Sequence, residues 1–61
     1  MENEIRNMLE SSGFIYNEGE WVYNEWTIRI DDQNVKVECF DNSLYYYGSI
    51  DKLPDILDDI K

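Results

Sequence analysis

From Phe14 to Tyr47 the apolar residues of this 61-residue chain tend to recur at every second position, and on either side of that stretch they recur every three to four. Alternation suits a strand, whose side chains point to opposite faces in turn, whereas a period near 3.6 suits a helix. Three polar clusters interrupt the alternation: Asn17-Glu18-Gly19-Glu20, Asp31-Asp32-Gln33-Asn34 and Asp41-Asn42-Ser43. Each is short enough for a tight turn and too short for a parallel crossover. The pattern therefore predicts four strands at about 14–17, 20–31, 34–40 and 44–48, paired as an antiparallel meander.

Ahead of the strands, Ile5, Met8 and Leu9 lie at i, i+3 and i+4 with Met1 on the same side, which predicts an amphipathic helix from about Glu2 to Ser12. Gly13 can take the left-handed conformation that ends a helix, and Phe14 is placed to touch Leu9 in the contact that accompanies such an ending. Behind the strands, Ile50, Leu53, Ile56, Leu57 and Ile60 share one stripe of a second helix. Ser49 or Asp51 can serve as its N-cap, and Pro54 falls in the first turn, where a missing N–H removes no intrahelical bond. The expected fold class is α+β, a single small domain over residues 1–61. Its layout is a two-layer αββββα arrangement, a four-stranded antiparallel meander with two short helices on one face.

Parity along the expected strands sorts their side chains. With Trp26, Ile28 and Ile30 inward, Val22 points the same way, joined by Val35, Val37, Cys39, Leu44 and Tyr46 as a floor for the helices. The opposite face then holds Thr27, Arg29, Lys36 and Glu38 together with Trp21, Tyr23, Phe40, Tyr45 and Tyr47. Aromatics gathered on one exposed face mark a protein interface, either a homodimer seam or a partner-binding surface. The alternative is that they cover one another as cross-strand pairs with their hydroxyls in water.

Charge and chemistry narrow the function. Fourteen Asp and Glu against five Lys and Arg leave a net charge of −9, which repels a phosphate backbone or an anionic membrane, so direct nucleic-acid and lipid binding are not expected. A basic protein surface is the complementary partner. The chain has no His, and its one cysteine, Cys39, has no internal partner for a disulfide. No cofactor or metal site is expected: the Asp31-Asp32-Gln33-Asn34 run lacks the Gly and distal Glu of a calcium loop. Without His, nucleophilic catalysis has only carboxylates and a few Lys as bases, and a chain of this size hardly encloses a cleft, so no enzyme and no catalytic residue is expected. No stretch approaches the roughly 20 apolar residues of a membrane span, and the expected compartment is the cytoplasm.

Asp51, Asp55, Asp58 and Asp59 gather opposite the apolar stripe of the second helix. A solvated face is one reading. The other is a partner-binding surface, because Asp58 and Asp59 sit at the negative end of the helix dipole, where helix stability does not favour them. At four-residue spacing, Asp51, Asp55 and Asp59 would repeat about every 6 Å along the axis, a spacing that imitates phosphates.

Absence of Ala, with an abundance of Ile, Asn and Tyr, matches AT-rich coding. Two segments carry a resemblance: Gly19-Glu20-Trp21-Val22-Tyr23-Asn24-Glu25-Trp26-Thr27-Ile28-Arg29-Ile30, and Tyr46-Tyr47-Gly48-Ser49-Ile50 leading into the last helix. Together they cover about half of the chain, and it resembles the very small acidic proteins encoded by phages of low-GC bacteria. Several of these inhibit antiphage systems by binding a nuclease or helicase component, and Hachiman anti-defence proteins are similar in size and style. The resemblance implies a non-catalytic, stoichiometric inhibitor of a basic nucleic-acid-processing defence protein, working in the host bacterial cytoplasm as a homodimer. The competing expectation is a structural or regulatory accessory module, an adaptor or subunit that self-associates through its aromatic sheet face.

Overall fold

The computed structural model describes the chain from Glu2 to Ile60: a helix, five antiparallel strands and a second helix. Helix α1 (Glu2–Ser11) buries Leu9 and half-buries Ile5 and Met8, as the spacing predicts, while Met1 lies outside the described residues. Its ending is also as expected. Gly13 has φ of 96°, its N–H donates to the Glu10 carbonyl at 3.1 Å, and the Phe14 N–H donates to the Leu9 carbonyl at 3.0 Å. These are the two hydrogen bonds of a Schellman ending, and Leu9 and Phe14 are both buried in the core that accompanies it.

Strands β1 (Ile15–Asn17), β2 (Glu20–Tyr23), β3 (Trp26–Asp31), β4 (Asn34–Cys39) and β5 (Ser43–Ser49) lie side by side in chain order. The meander stands, but the count of four strands is corrected to five. The expected 20–31 strand is two strands joined by the pair Asn24-Glu25, with Tyr23 directly opposite Trp26. Asn24 makes this possible by adopting φ of 52°, a left-handed conformation that Asn tolerates better than most residues.

This two-residue turn reverses the expected parity. Paired residues share a face, so the register Trp21↔Ile28↔Val37↔Tyr46 places an odd-numbered residue of β2 beside even-numbered ones of β3. Trp21, at 6% exposure, therefore belongs to the core, and Val22 turns to the other face opposite Thr27. A second shift occurs in β5: Val37 faces Tyr46 while the next residue, Glu38, faces Leu44, so Tyr45 is the extra residue of a bulge. Leu44, expected inside, consequently lies on the outer face at 60% exposure.

After β5, the Ile50 N–H donates to the Gln33 carbonyl at 3.0 Å, and one turn of 3₁₀ helix (Ile50–Lys52) leads into α2 (Leu53–Ile60). Ser49 caps this turn, its hydroxyl oxygen accepting the Asp51 N–H at 3.2 Å. Leu53, Ile56 and Leu57 of α2 join Leu9, Phe14, Trp21, Ile28, Val35 and Val37 in one core, so both helices pack on the same side of the sheet. Among the described residues no helix is long and apolar enough to cross a membrane.

Candidate functional site

The expected aromatic face does not exist as one surface. Trp21 is buried, with Tyr16 packed edge-on against it at 5.2 Å between ring centroids. Tyr23 is half-buried against the core and stacks obliquely on Phe14 at 5.3 Å. The bulge brings Tyr45 to the core side, where it meets Trp26 edge-on at 5.1 Å, and Phe40 sits 67% exposed in the 3₁₀ turn (Phe40–Asn42) between β4 and β5. Of the five aromatics expected to share a face, only Tyr47 stands on the outer face of the sheet, opposite Lys36 and 59% exposed.

What occupies the outer face instead is a mixed row, apolar at Ile15, Val22 and Leu44 and polar at Thr27 and Glu38, that parity alone did not locate. The register Ile15↔Val22↔Thr27↔Glu38↔Leu44 runs across all five strands, with Ile15 at 71% exposure at one end and Leu44 at the other. The signal that could have found it was the polar pair Asn24-Glu25 in the middle of an otherwise continuous run. Glu38 of the row pairs with Lys36 at 3.7 Å, and beside the row Arg29 pairs with Glu20. The Arg29 Nε donates to Glu20 Oε2 at 2.6 Å, and this hydrogen bond, together with the Glu20 charge, raises the guanidinium pKa above its ordinary value.

Asp51, Asp55, Asp58 and Asp59 are all exposed, and none forms an ion pair among the described residues. Asp51 belongs to the 3₁₀ turn and not to α2, so the four-residue repeat along one helix axis reduces to Asp55 and Asp59. Asp51 instead borders an open groove of about 750 Å³ on the core side of the sheet, between α1 and the turns at Gly19 and Gln33. Arg6, Asp32 and Asp51 bring charge to this groove, and Tyr16 and Trp21 supply its aromatic wall.

Cys39 is a half-buried free thiol, and among the described residues no group of acidic, Cys or His side chains has the arrangement of a metal site. The Asp31-Asp32-Gln33-Asn34 run is the β3–β4 turn, with Asp31 paired to Asn34 and Asp32 at φ of 58°. In comparison with known proteins, no family model matches this chain, and no curated protein or solved structure is significantly similar to it.

Proposed function

We propose that this chain is a non-enzymatic, phage-encoded inhibitor that binds stoichiometrically to a basic, nucleic-acid-processing protein of a bacterial antiphage defence system in the host cytoplasm. The observation that carries the reading is the set of free carboxylates on and beside α2. Asp58 and Asp59 lie in the last turn of a helix whose dipole opposes them, with no cation paired to either among the described residues. Together with Asp51 and Asp55 they add to the field of a chain at −9, which attracts a basic partner over long range and repels nucleic acid itself.

The test is charge reversal. Asp51, Asp55, Asp58 and Asp59 are changed together to Lys, and the protein captured from lysates of low-GC bacteria carrying antiphage systems is compared with the wild-type capture. A nuclease or helicase subunit held at low salt, shed at high salt and absent with the variant is the expected result. Equal capture by the variant removes α2 from the docking site.

The exposed Ile15 and Leu44 at the two ends of the outer row, with Val22 half-buried beside Ile15, favour a second reading, an accessory subunit that completes a larger assembly through this face. Apolar contacts respond little to salt, so retention of the partner at high ionic strength and its loss on Leu44→Ser would select that reading.

A further inference from the structure

β5 is the last strand of the sheet, bonded on one side to β4 alone. Its seven residues, Ser-Leu-Tyr-Tyr-Tyr-Gly-Ser, contain no charge and no proline, although 31% of the chain is charged. Edge strands are ordinarily blunted by Lys, by Pro or by shortness. The opposite edge, β1, is only three residues long, whereas β5 has a single bulge and otherwise none of these protections.

The backbone of β5 has a defined open side. The bond from the Ile50 N–H to the Gln33 carbonyl sets the antiparallel alternation, in which Gly48 and Tyr46 turn their backbone groups to β4. Tyr47 therefore directs its N–H and C=O to the open edge. Ser49 lies on the same side, but its carbonyl accepts the Tyr46 hydroxyl at 3.3 Å.

We infer that two copies of this chain pair through β5, antiparallel and edge to edge about a two-fold axis near Tyr47, making one continuous sheet of the two. A second copy fits better than a basic partner, because an uncharged strand offers such a partner nothing electrostatic, whereas an antiparallel strand is self-complementary under two-fold symmetry. The acids flanking the strand agree with this pairing. Asp41 and Asp51 lie in the 3₁₀ turns before and after Ser43–Ser49, so the paired strands themselves set no carboxylate opposite another. On the outer face, Tyr47 and Leu44 of both copies extend the apolar surface across the seam. The inference does not depend on the partner proposed for α2, and its salt dependence has the opposite sign: screening the −9 of each copy tightens the pair.

The experiment is sedimentation equilibrium up to millimolar concentration, at low and high salt, on the synthetic 61-residue chain and on the same chain carrying an N-methyl group on the Tyr47 backbone nitrogen. The wild-type chain is expected to dimerise and to do so more tightly at high salt. N-methylation removes the Tyr47 N–H from both symmetry-related bonds and leaves the β4 ladder intact, so the dissociation constant should rise by at least about tenfold with an unchanged circular dichroism spectrum. Tyr47→Lys, which sets like charges against each other across the axis, should also weaken the dimer and covers the case in which the methylated chain does not fold. A wild-type chain that stays monomeric at millimolar concentration overturns the inference, as does a dimer unaffected by these changes.

Discussion

Gly13 and Gly19 both have positive φ, 96° and 86°, yet they differ in what a side chain would meet. A Cβ at Gly13 would lie 2.9 Å from Cε1 of Tyr23, a ring held between the core and Phe14, whereas a Cβ at Gly19 meets nothing within 4 Å. Left-handed backbone costs a non-glycine residue about 1–2 kcal/mol. Gly19→Ala is therefore expected to lose about that much in urea unfolding, and Gly13→Ala clearly more; equal losses would show that the Tyr23 ring yields freely. The same measurement separates the aromatics by location. Trp21→Ala removes a buried side chain and should cost about 3–5 kcal/mol, while Tyr47→Ala in the monomer should stay within about 0.5 kcal/mol.

At the level of the element, the three two-residue hairpin turns open on Glu18, Asn24 and Asp32, each left-handed, with φ of 48°, 52° and 58°. Asn and Asp tolerate this conformation, and Glu does not share their advantage. Glu18→Asn creates the Asn-Gly pair that such turns favour and is expected to raise stability by about 0.5–1 kcal/mol, read as a higher urea midpoint at unchanged slope. In α2 the expectation divides stability from function. Replacing Asp58 and Asp59 by Lys places cations at the helix C-terminus and should stabilise the fold by about 0.3–1 kcal/mol per residue while abolishing capture of a basic partner. A variant both less stable and unable to bind would mean that the aspartates serve the fold.

For the molecule as a whole, one core faces one side of the sheet, and a charge of −9 is spread over the surface of a 7.3 kDa domain. Self-repulsion on that scale opposes the compact state, so the melting temperature of the monomer should rise steadily with sodium chloride at neutral pH. A flat response would mean that the carboxylates are spaced too widely to repel. Because both helices occupy one side, the other face of the sheet and the β5 edge are left to solvent or to another chain. Ile15, Leu44 and Tyr47 are exposed on that face, while Tyr16, Ile30 and Tyr45 are exposed on the core side and Phe40 in its turn.

Local pattern alone was enough for α1, its glycine ending, the chain-order meander and the apolar stripe of α2, because each depends on residues within a few positions of one another, and it narrowed the cap to Ser49 or Asp51, of which the structure uses Ser49. Side-chain facing was not legible in the same way. It depends on register, and register passes through two features whose local signal is faint: the Asn24-Glu25 turn, which has no glycine, and the bulge at Tyr45, which exists only as a mismatch between β4 and β5. Each shifts the alternation by one residue and so moves a side chain to the other face of the sheet. That is why Trp21 is core and Val22 and Leu44 lie on the outer face, and why the expected aromatic face gives way to a mixed row with exposed Ile15 and Leu44 at its ends and to an open β5 edge, which only strand pairing in three dimensions could decide.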